Sequence, residues 1–261
     1  MRIASWNINS LRARMGRLLD VLDTRQIDAI ALQEIKAKPE QLDLAELEAR
    51  GYEVAAHGLN QWNGVAIVSR VGLEDVEIGL PDMPEYDGVA EARAITATVG
   101  GVRLTSLYIP NGREIDHAHY DYKLEFLDCL TEHGRSLLAK DPSAPIVFAG
   151  DFNVAPTDAD VWDPSFFEGK THVTPPERRR IRALEEAGFR DATRDWLDAP
   201  GTFTYWDYTS RRFQKKQGMR IDFLFSSPAV HEAATGAMID TEERAQKGTS
   251  DHAPIILDVS L

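Results

Sequence analysis

Residues 1–36 read MRIASWNINSLRARMGRLLDVLDTRQIDAIALQEIK, and they set the class of fold. Arg2–Trp6 and Ile27–Leu32 are short apolar runs, continuous rather than alternating, which predicts strands covered on both faces. Between them Leu11, Met15, Leu18, Leu19 and Leu22 fall on one face of a 3.6-residue period, which predicts a helix. Further runs of the strand type follow at Val65–Ser69, Ala92–Val99, Val102–Tyr108, Pro145–Phe148, Arg220–Phe225 and Ala253–Val259. Phe126, Leu127, Leu130 and Leu137 mark a second helix. Pro175–Ala187 marks a third, opened by a proline pair and closed by Gly188. Helices separate the early strands, whereas the later strands come without them. That mixture predicts α/β layers with sheets sandwiched by helices, not a uniform parallel barrel. No Gly/Ser/Pro-rich linker, composition shift or fixed-period repeat divides the sequence, so residues 1–261 are expected to form one domain.

Composition narrows the function classes. The 261 residues are 43% hydrophobic and 27% charged, which excludes a disordered or collagen-like chain. No apolar stretch approaches the ~20 residues of a membrane helix. Asn7, Asn9, Arg12 and Arg14 break up any signal-peptide core. The single cysteine, Cys129, excludes an intrachain disulfide and a cysteine-based zinc site, and it predicts a reducing, cytoplasmic setting. Its place among the apolar residues of the second helix reads as packing. A monomer is the default expectation.

A net charge of -13 argues against nucleic acid, but the distribution argues otherwise. Residues 170–182 carry five Lys or Arg and one Glu, and residues 209–220 carry five Lys or Arg and no acid. Surface charges decouple over about 8 Å at physiological salt, so local segments bind independently of the total. Charge alone leaves solvated loops and phosphate contacts equally open.

Run after run ends in a polar residue of a catalytic type. Arg2–Trp6 leads into Asn7, Ile27–Leu32 into Gln33 and Glu34, and Val102–Leu107 into Tyr108. Pro145–Gly150 leads into Asp151 and Asn153, and Asp251-His252 precedes the last strand. Strand ends expose a side chain at the sheet margin while fixing its position, so functional groups of α/β folds collect there. Each residue alone reads equally as a cap or an Asx turn; five runs ending alike favour a site.

Glu34, Asp151 and Asp251 are hard oxygen donors suited to magnesium or manganese. The seven histidines are scattered. His117 and His119, two apart, diverge on a helix and are expected at the surface. Zinc is therefore disfavoured. A magnesium site beside one histidine, amide side chains and a phenol is what hydrolysis of a phosphate ester needs. Acid–base catalysis alone supplies typically 10²–10⁴-fold, far short of what slow phosphate esters demand, so a composite site is expected.

The stretches IASWNINSLRAR (3–14), ALQEIK (31–36), NGVAIVS (63–69), LYIPNG (107–112), FAGDFNVAP (148–156), FTYWDY (203–208), MRIDFLFSS (219–227) and TSDHAP (249–254) together resemble the exodeoxyribonuclease III type of abasic-site endonuclease. That type lies within the endonuclease/exonuclease/phosphatase superfamily, and the resemblance extends over essentially the whole chain. It implies a four-layered α/β/β/α sandwich of the DNase I-like kind. It also implies a DNA-repair hydrolase that cuts 5′ to an abasic site and acts as a 3′-5′ exonuclease and 3′-phosphoesterase on double-stranded DNA.

By this resemblance Glu34 is the principal carboxylate for Mg2+, with Mn2+ as a substitute; Asp251, Asn7, Asp151 and Asn153 lie nearby. Asp151 activates or aligns the attacking water, and Asn7 and Asn153 orient it and bond the scissile phosphate. Tyr108 contacts that phosphate, and Asp222 holds His252 as an imidazolium against a phosphoryl oxygen. Tyr205, Met219 and Ile221 are implied to line a pocket for a flipped-out baseless sugar. Trp206 lies alongside, although large aromatics are more often core. Met219 and Tyr205 depart from the aromatics of some relatives, and Asn9 stands where some carry a second acid.

Arg211, Arg212, Lys215 and Lys216 become DNA contacts because their loop runs into the pocket segment, with Arg113 and Trp62 as further contacts. Arg178, Arg179 and Arg180 stay open between DNA contact and simple exposure. Two other readings are weaker. A relative acting on RNA, an inositol phosphate or a lipid head group would have no reason for both pocket and basic loop. A binding scaffold without catalysis would not retain Glu34, Asp151, Asp222 and Asp251.

Overall fold

The computed structural model describes residues 1–261. Two six-stranded sheets carry the fold. The first runs, in spatial order, β11 (Ala234–Ile239), β12 (Ile255–Val259), β1 (Arg2–Asn7), β2 (Ala29–Gln33), β4 (Val65–Ser69) and β3 (Glu53–His57). The second runs β5 (Glu74–Ile78), β6 (Ala94–Val99), β7 (Val102–Tyr108), β8 (Ile146–Asp151), β10 (Asp222–Ser226) and β9 (Arg190–Asp191). Only β1–β2 and β7–β8 pair in parallel. Each of these pairs is joined through a long helix, α1 (Leu11–Arg25) and α3 (Ala118–Lys140) respectively; the short α2 (Ala45–Glu48) lies between β2 and β3. A crossover of that length is what a parallel pair requires.

Side chains along each inner strand alternate between two cores. Ile3, Ala29, Ala31, Val65 and Ile67 of the first sheet meet Ile95, Leu104, Val147, Ala149 and Leu224 of the second in one buried layer. The opposite faces differ. Ala4, Trp6, Ile30 and Leu32 pack under Leu11, Leu18 and Leu22 of α1. Phe148, Phe223 and Phe225 pack under Phe126, Leu127 and Leu130 of α3, and under Ile181 and Leu184 of α4 (Pro175–Glu186). The order is thus helix, sheet, sheet, helix, as the resemblance implied. No helix is long and apolar enough to cross a membrane.

The same alternation puts the polar strand ends in the seam. Asn7 shares its face with Ile3, Asp151 with Val147 and Ala149, and Asp222 with Leu224. All three therefore point into the gap between the sheets where the apolar layer stops. Below them Gln33 Nε2 donates to Ser106 Oγ at 3.1 Å, and Ser106 Oγ donates to the Leu32 carbonyl at 2.8 Å, tying one sheet to the other. Gly150 is required by close approach: a Cβ there would lie 1.9 Å from the Leu107 carbonyl oxygen.

Two expectations need correcting. His119 is buried, not at the surface; its Nδ1 accepts the Gly112 N–H at 3.1 Å, and desolvation, followed by Arg93, pushes its imidazole down to about 4. His117 caps α3, its Nδ1 accepting the His119 N–H. Arg220, counted with the basic segment 209–220, is fully buried and paired with Asp191 at 2.7 Å.

Candidate active site

Register brings the strand ends together. Asn7 lies opposite Gln33 across β1–β2, Tyr108 opposite Asp151 across β7–β8, and Asp222 opposite Asp151 across β8–β10. Beyond β2 the chain turns sharply, with Glu34 and Lys36 both at positive φ, +50° and +52°. This swings the Glu34 carboxylate back over the seam. Asn7 Nδ2 then donates to Glu34 Oε1 at 2.8 Å and to Asp151 Oδ2 at 3.0 Å, so one amide joins two carboxylates from different sheets.

Asp151 is held from the other side as well. The Asn153 N–H donates to its Oδ1 at 2.9 Å, with Asn153 itself at φ +50°. His252 Nε2 stands 3.8 Å from Asp151 Oδ2, and its Nδ1 lies 2.8 Å from Asp222 Oδ2. Asn7, Asp151, Asn153, Asp222 and His252 are all buried. Ligand atoms of Glu34, Asp151 and His252 lie within 4.8 Å of one another.

The electrostatics follow from this crowding. Desolvation, then the charge of Asp222, pushes Asp151 up to about 7, against the pull of His252 and Asn7. For His252 burial works against the proton, but Asp222 and Asp151 outweigh it and lift the imidazole to about 10. Glu34 moves the other way: burial opposes its charge, and Lys36 and Asn7 overcome that and lower it. Tyr108 is raised well above the ordinary range by burial and then by Glu34 and Asp151, so its hydroxyl stays a donor. Two carboxylates in one cleft are thus pushed apart, one toward neutrality and one held ionised, as acid–base sites require.

The donor set fits a divalent cation of the hard class. Glu34 and Asp151 offer carboxylate oxygens toward a common point, and the buried negative charge there exceeds what the histidine neutralises. Lys36 Nζ pairs with the outer Glu34 oxygen at 2.8 Å and donates to Asn9 Oδ1 at 2.7 Å. Asp251 stands one step away: its Oδ1 accepts from Asn9 Nδ2 at 3.0 Å and from Ser250.

Around this centre the implied pocket residues divide. The Tyr205 ring lies 4.8 Å from the His252 ring, and Tyr205 bridges to both Met219 and His252 along the backbone. Met219 and Ile221 close into a small buried cluster with Ala155, Val161 and Phe167. Met219 also borders a cleft of about 660 Å³, shared with Arg113, Lys170 and His172. Trp206 takes the core alternative: it is buried against Phe203 and Phe213 and presents no open face.

In the basic loop Arg211, Lys215 and Lys216 are exposed, whereas Arg212 lies over Phe166 at 4.7 Å and Trp162 at 5.8 Å. Trp62 is 72% exposed, and Arg113 projects from a positive-φ turn at the cleft. Of the three arginines of α4, Arg178 pairs with Asp158 and Arg180 with Asp128, leaving Arg179 exposed.

Sequence reasoning passed over Lys36, Asn111 and His172. Asn111 Nδ2 donates to Asn153 Oδ1 at 3.2 Å, and His172 Nε2 lies 3.0 Å from the same oxygen. Desolvation and then Lys123 push His172 down to about 3, so its ring is neutral. Lys36 sits inside a quoted motif two residues after Glu34, and that spacing was the available signal. Asn111 likewise lies inside the quoted stretch LYIPNG, whereas nothing local marks His172.

Comparison with known proteins agrees with this geometry. The model of the Endonuclease/Exonuclease/phosphatase family matches residues 4–252. Exodeoxyribonuclease III of Haemophilus influenzae is 31% identical, over 98% of each chain. A 3′ phosphatase from Neisseria, NExo, solved with a product DNA hairpin, superposes over 100% of both chains with a TM-score of 0.94 at 35% identity. An AP endonuclease from Archaeoglobus fulgidus does so with a TM-score of 0.93 at 29% identity, again over 100% of both chains. Sequence over nearly its full length, layer order and the strand-end cluster concur: the chain belongs to the endonuclease/exonuclease/phosphatase family, within its exodeoxyribonuclease III group.

Proposed function

We propose that the protein is a magnesium-dependent DNA phosphoesterase, with manganese as a substitute, that cuts 5′ to abasic sites and removes nucleotides or phosphate from 3′ ends. One observation carries this reading: Asn7, bonded to both Glu34 and Asp151, draws two carboxylates and His252 into one buried cluster. Similarity to enzymes named for abasic-site cutting and for 3′ phosphatase activity supports the substrate class.

Glu34 would be the main ligand for the cation, with Asp151 and Asn7 beside it and Asp251 next to Asn9. A cation held there would supply polarisation of a phosphoryl oxygen and offset its charge. The remaining chemistry belongs to side chains. Asp151 aligns a water and takes its proton at a carboxylate oxygen, as a positioned general base does. Asn7 and the Asn153 N–H hold that carboxylate in place. His252, kept cationic by Asp222, faces the phosphoryl oxygen on which negative charge develops, and the Tyr108 hydroxyl donates to the same group. The water oxygen bonds to phosphorus as the P–O3′ bond breaks, and the departing O3′ takes a proton from solvent, leaving a 3′ hydroxyl on one product and a 5′ phosphate on the other.

Tyr205 and Met219 form the wall beside His252 that receives the sugar, and Ile221 backs it from the buried cluster. Arg211, Arg212, Lys215, Lys216, Arg113 and Trp62 hold the duplex by its backbone, without sequence preference.

The test uses duplexes carrying one abasic analogue, a 3′ phosphate or a recessed 3′ end, with magnesium. The expected result is a single incision 5′ to the lesion and release of phosphate or nucleotides from the ends. Asp151→Asn should lower turnover at least about 1,000-fold while DNA binding persists. Intact substrates after exhaustive incubation would overturn the reading.

A further inference from the structure

Lys123 of α3 and Glu177 of α4 form an ion pair with neither side chain exposed, and neither belongs to the chemistry above. In sequence Glu177 reads as the third residue of a Thr174 capping box and Lys123 as a helix residue; their contacts go further. Lys123 Nζ donates to Glu177 Oε1, to the Asn153 carbonyl at 2.6 Å and to the Asn111 carbonyl at 3.2 Å. All three ammonium protons are therefore used. Glu177 Oε1 also accepts the His172 N–H at 2.9 Å, while Oε2 accepts the Thr174 N–H at 2.9 Å and the Thr174 hydroxyl at 2.7 Å.

We infer that Lys123 and Glu177 are positioning residues for the hydrolytic site, clasping three loops through their backbones. These are the loop after β7 at Asn111, the loop after β8 at Asn153 and the loop before α4 at His172. The inference rests on the proposed phosphoesterase reading and extends it to residues that do not touch substrate.

The argument is one of geometry and of relative magnitude. Asn153 sits at φ +50°, a left-handed conformation that asparagine tolerates better than other side chains and that its bonded neighbours hold in place here. Its N–H donates to Asp151 on one side while its carbonyl accepts from Lys123 on the other. Rotating that residue to an ordinary φ would withdraw the donor from Asp151. The Asn153 side chain is fixed by the same clasp, because Asn111 and His172, which flank its Oδ1, belong to the other two loops.

Stability offers a weaker reason for the pair. A buried ion pair is commonly no better for folding than apolar side chains of the same shape, although removing one partner alone is strongly destabilising. Charge at both positions is accounted for by the loop groups it gathers, the Asn111 and Asn153 carbonyls on the Lys123 ammonium and the His172 and Thr174 N–H groups on the Glu177 carboxylate.

This distinction gives the test. Lys123→Met or Glu177→Gln alone strands a charge and should lower Tm. The double variant Lys123→Met/Glu177→Gln removes both charges and should recover most of that Tm. A purely structural pair predicts that turnover on a 3′-phosphate duplex recovers with it. Positioning predicts that kcat stays about 10- to 100-fold down, with KM within about threefold of wild type. Recovery of kcat in the double variant would overturn the inference.

Should none of these variants fold, the wild-type protein decides by 15N NMR. A Lys123 ammonium protected from water exchange and showing hydrogen-bond couplings to the Asn111 and Asn153 carbonyls supports the clasp; a freely exchanging one overturns it. If wild-type protein does not cleave the duplex, the functional reading fails, while the NMR measurement still judges the clasp.

Discussion

Asn7 and Asp151, 144 positions apart, share a 3.0 Å hydrogen bond that crosses from one sheet to the other, and the same amide nitrogen bonds Glu34 at 2.8 Å. The Asn7 amide is the only group bonded to both carboxylates, and it keeps them a fixed distance apart without adding charge.

Replacing it should be felt in turnover more than in stability. Asn7→Ala removes a donor from two buried or half-buried carboxylates, so kcat should fall about 100- to 1,000-fold, in the range seen for loss of one preorganised donor. The folding free energy should fall by about 1–3 kcal/mol. Steady-state rates and urea denaturation measured on one preparation check both figures. Turnover within threefold of wild type would mean the bridge is dispensable.

The state of His252 is set by Asp222. With its folded pKa raised to about 10, the imidazolium contributes stability that is fully present below its unfolded value near 6.5 and is lost as pH rises through about 10. In Asp222→Asn the main attraction goes while burial remains, so the ring should titrate several units lower. Imidazole 15N shifts followed from pH 5 to 11 in metal-free protein read this directly. An unmoved titration would assign the high pKa to another neighbour.

Asp151 has the opposite linkage to an ordinary salt-bridged carboxylate. Its folded pKa, about 7, lies above its unfolded value near 3.8, so the metal-free protein binds more protons than the unfolded chain between those limits. Stability from this group therefore declines as pH rises from about 4 to 7. A divalent cation competes with that proton. The rise in Tm on adding magnesium should accordingly be small at pH 5 and larger at pH 8, approaching about 2.7 kcal/mol of stabilisation at a hundredfold excess over Kd. Thermal scans at both pH values, with and without chelator, decide it; a gain that shrinks with pH would place the cation away from Asp151.

Replacing Arg211, Arg212, Lys215 and Lys216 by Ala should weaken duplex binding and flatten its dependence on salt. Three of the four are exposed and Arg212 lies on Phe166. The log–log slope should therefore drop by about 2–3, at roughly 0.9 per phosphate contact. Binding isotherms from 50 to 200 mM salt supply the slope. If it does not change, the loop leaves DNA untouched.

Much of this was legible from residue order because the decisive signals are local. Continuous apolar runs gave β1, β2, β4, β6, β7, β8, β10 and β12, and Asn7, Glu34, Tyr108, Asp151 and His252 stood out at their ends. The edge strand Glu74–Ile78 escaped notice because its apolar residues, Val76 and Ile78, only briefly alternate with acids and are exposed, so no continuous apolar run marks it. His119 was misjudged for a related reason. Its spacing from His117 describes one helix face, but its burial comes from Gly112 and the neighbouring aromatic rings. Lys123, Glu177 and His172 owe their roles to carbonyls and amides of other loops, and a side-chain sequence carries no trace of which backbone atoms will be near. Arg220 belongs to the same class: only tertiary contact reveals Asp191 beside it.

The reactive groups straddle a boundary between layers that is held mainly by greasy, directionless packing, with the Gln33–Ser106 link as a pin. A slip of one sheet past its partner by the width of a water molecule would pull Asn7 off Asp151 while leaving both ladders of backbone bonds whole. Pressure or mild denaturant that lubricates this boundary should therefore silence the enzyme at a stage when circular dichroism still records a full complement of strands.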